Sequence, residues 1–107
     1  MNWEPKTQEK FKVFISKIPI FHRRITEVAV TKDAEQLAAS RKALQVEVQD
    51  VVAAFFTDVP SPFYSMMVRL LDQTGFDYKK YGFPKEKRFS NQSRTFLNPK
   101  GNSSASA

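Results

Sequence analysis

The side chains best equipped for chemistry gather in one short run, Lys17-Ile18-Pro19-Ile20-Phe21-His22-Arg23-Arg24. His22 is the only histidine of the chain. An imidazole titrates near neutrality, so it can act as a general acid or base, contact an anion, or serve as axial ligand to a tetrapyrrole metal. Arg23 and Arg24, with Lys17, can hold a phosphate or carboxylate beside the free N–H groups of a helix N-terminus. They serve equally well as a solvated basic corner, with Glu27 about one helical turn away as a salt-bridge partner.

A second constellation lies toward the C-terminus. Tyr78, Lys79, Lys80, Tyr81, Arg88 and Phe89 interleave rings with cations, and Phe83, Lys85 and Lys87 fall among them. That alternation suits stacking on single-stranded nucleic acid or lying in a protein groove. No recognised RNA- or DNA-binding signature accompanies it, and an aromatic arm docked on the domain explains the rings equally well.

Other chemistry is poorly provided for. Glu27, Asp33, Glu35, Glu47 and Asp50 show no spacing typical of a catalytic dyad or a metal site. With no cysteine there is no disulfide framework, no thiolate nucleophile, no Cys-ligated zinc and no protein-ligated iron–sulfur cluster. No catalytic residue, metal or cofactor is assigned, and the chain is not expected to be an enzyme.

The net charge of +6 is placed unevenly. Residues 1–24 hold six Lys/Arg against two acids, residues 25–78 four against eight, and residues 79–107 seven against one. Basic ends on an acidic middle attract nucleic acid, an anionic membrane surface or an acidic protein, and they also keep a small protein in solution. No apolar run approaches the ~20 residues that span a bilayer. Met1-Asn2-Trp3-Glu4-Pro5 lacks the apolar core of a signal peptide, so a cytoplasmic protein is expected.

The elements that must position these residues read as helices. Pro5 suits a first helical turn, and Phe11, Phe14 and Ile15 mark one apolar face of a helix ending before Pro19. Pro19 also suits the start of a second helix, whose apolar face is expected to be Phe21, Ile25, Val28 and Ala29. Thr31-Lys32-Asp33 can interrupt it, because Asp33 and Gln36 resemble a capping box, so residues 20–43 form one helix or two. Val46-Glu47-Val48 alternates like a short extended link, while Val48, Val51, Val52, Phe55 and Phe56 fit a helix over Glu47–Phe56. Thr57–Pro60 then forms a loop. Ser61-Pro62 predicts a capped helix start, Phe63, Met66, Met67, Leu70 and Leu71 an apolar stripe, and Gly75 a left-handed stop. Met66 and Met67 beside Phe63 can form an adaptable groove, although such a stripe more often faces a core.

The fold expected is all-α: a compact bundle of four to five short helices over residues 1–84. Phe76–Pro84 supplies an aromatic arm running back across the helices. Residues 85–107 are basic and of low complexity and are expected to be disordered.

Trp3, Ile18-Pro19, Phe21 and Arg23, followed by Glu35, Ala38 and Val46, resemble the small helical domain at the C-terminus of the light-independent protochlorophyllide reductase B subunit. That resemblance covers residues 3–55. The stretch from Arg23 to Glu35 is longer than in the reductase domain, and Glu27 and Ala29 offer a second alignment. A related family of small bacterial proteins is similar as far as Asp77-Tyr78-Lys79-Lys80-Tyr81. The resemblance implies a helical module associated with redox or tetrapyrrole enzymes, without the large domains and clusters that carry their chemistry. The expected function is therefore a non-enzymatic accessory or assembly subunit binding a larger redox or photosynthetic protein complex. Its contacts would be Lys17, His22, Arg23, Arg24 and the basic aromatic arm. A small basic nucleic-acid-binding protein is the alternative, and a tetrapyrrole carrier with His22 as ligand comes third. The oligomeric state is left open.

Overall fold

The computed structural model describes residues 1–84. Four α-helices carry the fold: α1 (Pro5–Ser16), α2 (Ile20–Ser40), α3 (Val48–Asp58) and α4 (Tyr64–Gln73). Two-residue strands, β1 (Asn2–Trp3) and β2 (Gln45–Val46), pair in parallel with Asn2 beside Gln45 and Trp3 beside Val46. Glu4 N–H extends the pairing by donating to the Val46 carbonyl at 2.9 Å. The all-α bundle expected from the spacing is what forms. The expected disorder of residues 85–107 lies outside the described residues.

Pro5 opens α1, and Phe11, Phe14 and Ile15 are buried on one face. Pro19, extended at ψ 141°, stands immediately before α2 rather than in its first turn. The α2 helix then runs without a break through Thr31-Lys32-Asp33, so Asp33 starts nothing; it sits within a single 21-residue rod. The core-facing side of that rod is Val30, Ala34 and Ala38, each with no exposed surface. Small side chains let α2 lie close on α3, the helix it packs against most extensively.

Phe55 of α3 is the centre of the core. Its ring lies 4.3 Å from Phe14, 5.9 Å from Phe11 and 6.4 Å from Phe76, centroid to centroid. The α3 helix continues through Thr57 and Asp58, two residues read from sequence as loop. Ser61 does not cap the next helix: Ser61–Phe63 forms a 3-10 turn, with Pro60 before it, and α4 begins only at Tyr64. The chain bends by 118° between α3 and the 61–73 segment. Gly75, at φ +81°, stops α4 as expected, and Phe76 N–H returns to the Leu71 carbonyl at 2.9 Å. The aromatic arm then packs on Phe56 of α3: Tyr78 lies 6.0 Å from its ring, and Phe83 stacks on it at 5.1 Å. Among the described residues no single helix is long and apolar enough to cross a membrane.

Candidate functional site

The basic corner divides between structure and solvent. Arg23 Nε donates to the Ile18 carbonyl at 2.9 Å, and Nη2 to the Ser16 carbonyl at 2.8 Å. The Ser16 carbonyl ends α1 and the Ile18 carbonyl lies in the turn that follows, so Arg23 locks the α1–α2 turn. It is not free to meet a partner, and no salt bridge joins Arg23 or Arg24 to Glu27. Lys17, His22 and Arg24 are exposed. Among the described residues no group of three or more His, Asp or Glu side chains is placed to hold a metal ion.

The second constellation also splits. Tyr78 is only 5% exposed and belongs to the core, which removes it from any contact surface. Lys79 and Lys80 are exposed on a 3-10 turn (Lys79–Tyr81), with Lys80 Nζ 5.6 Å from the ring centre of half-buried Tyr81. Arg88 and Phe89 lie outside the described residues. Within residues 1–84, twelve Lys/Arg stand against ten Asp/Glu, so four of the six net positive charges belong to residues 85–107.

What the structure assembles instead is apolar. Phe21, Ile25 and Val28 are 87%, 72% and 53% exposed. They lie on the side of α2 nearly opposite Val30, at about 100° per residue. The face expected to enter the core is the one that stays outside. Beside this ridge runs an open groove of about 540 Å³ between the first half of α2 and the segment from Asp58 to Leu70. Ile18, His22, Ile25 and Ala29 form one wall; Val59, Phe63, Met66 and Leu70 form the other. Of the α4 stripe, Met67 and Leu71 are buried, whereas Phe63 and Met66 remain 54% and 40% exposed at the rim.

One acid faces this groove. Asp58, the last residue of α3, has a buried Oδ2 with no donor, and its neighbour is the carboxyl of Asp33 on α2. Burial, then the hydrogen bond and charge of Asp33, push the Asp58 carboxyl up to about 7. Two carboxylates cannot satisfy each other, and one shared proton lets them. The pair is 25 residues apart in sequence and carries no motif. The stripe of Phe21, Ile25, Val28 and Ala29 is legible as 4-, 3- and 1-residue spacings, but the spacing predicts it inward and the fold turns Phe21, Ile25 and Val28 outward.

Comparison of the chain with protein-family models, curated proteins and solved structures finds no match in any of the three.

Proposed function

We propose that this protein is a non-enzymatic interaction module, an accessory or assembly subunit of a larger protein complex. The observation that carries this is α2: a helix apolar on two opposite sides belongs inside an assembly, and only one of its sides is covered. Phe21, Ile25, Val28, Phe63 and Met66 form the association face. Exposed Arg24, Lys32 and His22 at its edges supply orientation rather than affinity. The resemblance to the reductase domain supplies the class of complex, redox or photosynthetic.

Affinity purification from native lysate followed by mass spectrometry tests the reading. The expected result is a set of identified complex subunits recovered with the natural chain and lost with Phe21→Glu and Ile25→Glu. Recovery of nucleic acid alone, released entirely by nuclease or salt, overturns it in favour of a basic nucleic-acid-binding protein.

A second reading draws on His22, which lines the same apolar groove as Met66 and Met67. A tetrapyrrole lying in that groove would meet His22 at its edge. Titration with haem should then shift the absorbance, and His22→Ala should abolish the shift; an unchanged spectrum ends this reading.

A further inference from the structure

The outer side of α2 is a seam as well as a ridge. Phe21, Ile25, Val28, Lys32, Glu35 and Ala39 follow one another at spacings of 4, 3, 4, 3 and 4. Phe21, Ile25 and Val28 fill three consecutive positions of a coiled-coil seam, and Lys32, Glu35 and Ala39 continue its line without extending the apolar run. It runs along the helix face turned away from the core, where Phe21, Ile25, Val28 and Lys32 are all exposed. A seam of this kind is complementary to another helix of the same pattern, and each molecule carries one.

We infer that the association face is first occupied by a second copy of this chain, with the two α2 helices packed antiparallel about a two-fold axis between Thr26 and Glu27. Three observations select this arrangement. In parallel register Lys32 and Glu35, which lie on the seam, would each meet the same residue of the second copy, like charge on like. Antiparallel packing about this axis instead sets Ile25 against Val28 of the second copy in both central layers. It also brings Lys32 of the second copy over the ring of Phe21, where an ammonium is attracted by the aromatic face. Third, the area suffices. Phe21, Ile25 and Val28 leave about 400 Å² bare on each copy. With the stems of Arg24 and Lys32 the pair reaches the ~1,000 Å² that a specific interface needs. Lys32 and Glu35 weaken the seam toward the C-terminal end of α2, so the contact centres on its first half.

This inference rests on the reading of α2 as an association surface and names its occupant. The chain has no cysteine, so a single introduced thiol reports on proximity without interference. In the full chain Ile25→Cys lies within about 5 Å along the helix axis of its copy, whereas Ala39→Cys lies about 37 Å from its own. The expected result is dimeric mass by analytical ultracentrifugation, rapid disulfide dimers of Ile25→Cys, and none of Ala39→Cys. Ile25→Glu should weaken dimerisation by at least about tenfold with unchanged helical circular dichroism. Cross-linking of both thiol variants would mean parallel packing and overturn the arrangement. A monomer at high micromolar concentration overturns the second copy as occupant. If that monomer still loses its lysate partners on Ile25→Glu, the association face stands; if it loses none, that reading falls as well.

Discussion

The guanidinium of Arg41, just past the end of α2, grips both carboxylate oxygens of Asp50 in the first turn of α3: Nε to Oδ1 at 2.8 Å and Nη2 to Oδ2 at 2.7 Å. Asp50 is 2% exposed, and its Oδ2 also accepts the Glu47 backbone N–H at 2.9 Å. The Glu47 side chain returns the favour to the Asp50 N–H, completing a capping box, and Glu47 Oε1 adds a 3.2 Å contact to Arg41. The Asp50 hydrogen bond, then its charge, raise the Arg41 pKa above its ordinary value, although burial opposes them. Removing the cation leaves a buried carboxylate without its counter-charge, which costs more than the pair itself contributes. Arg41→Ala is expected to lower stability by about 3 kcal/mol, and Arg41→Lys to restore only part, because a point charge cannot span both oxygens. Urea denaturation should show a lower midpoint at unchanged slope.

Asp58 and Asp33 make a pH-dependent link between the end of α3 and the middle of α2. In the unfolded chain Asp58 titrates near its ordinary value, about 4, and in the fold near 7. Between those limits the folded state holds a proton that unfolding releases, so this pair's contribution to stability is fully present below about pH 4 and is lost as pH rises through about 7. Each pH unit by which the carboxyl is displaced is worth about 1.4 kcal/mol at most, and solvent reaching the partly exposed pair reduces that. Asp58→Asn supplies a permanent donor to Asp33. It should flatten the profile and raise the melting temperature at about pH 8 while changing little at about pH 5. Equal melting curves for the two proteins across this range would rule the shared proton out.

What could be read in advance was whatever local spacing decides. Phe11, Phe14 and Ile15 fall on one stripe of α1, Gly75 is the residue a left-handed stop prefers, and Val51, Val52, Phe55 and Phe56 fall at helical spacing and prove buried. What escaped was decided across the fold. Periodicity marks the stripe of Phe21, Ile25 and Val28 on α2 but not that the small residues Val30, Ala34 and Ala38 are turned inward, where they let α3 approach closely. Hydrophobicity alone favours burying Phe21 and Ile25, and close packing overrides it. Alternation of rings and cations groups Tyr78 with the lysines that follow it, yet its ring is worth more against Phe56 than in water. Arg41 to Asp50 spans a turn, a short strand and a helix start, and Asp33 to Asp58 spans more; neither spacing has a local meaning.

The two adjacent arginines of the basic corner give a direct comparison. Arg23 satisfies the carbonyls of Ser16 and Ile18 in the α1–α2 turn, and Arg24 is exposed beside the ridge. Loss of charge-assisted bonds to otherwise unpaired carbonyls costs about 1–3 kcal/mol, whereas an exposed cation contributes within about 0.5 kcal/mol. Arg23→Ala should therefore lower the thermal midpoint clearly and Arg24→Ala hardly at all. In dimer or partner binding the order should reverse: Arg24→Ala should slow association and flatten its salt dependence, whereas Arg23→Ala, corrected for its unfolded fraction, should change neither.

Phe55 and Phe21 pose the same question for one residue type in two settings. Phe55 has no exposed surface and touches Phe11, Phe14 and Phe76, so Phe55→Ala leaves a cavity that these rings cannot collapse into. The expected cost is about 3–5 kcal/mol, a large share of the whole stability of a domain this size. Phe21 is 87% exposed, and in an isolated monomer Phe21→Ala removes almost no buried contact, so the change should stay within about 0.5 kcal/mol. In an assembly the same substitution removes an aromatic anchor, where truncation costs about 2 kcal/mol or more. Denaturation measured at rising protein concentration separates the cases. If the face is covered in solution, the natural chain's midpoint climbs with concentration, and the Phe21→Ala midpoint stays flat.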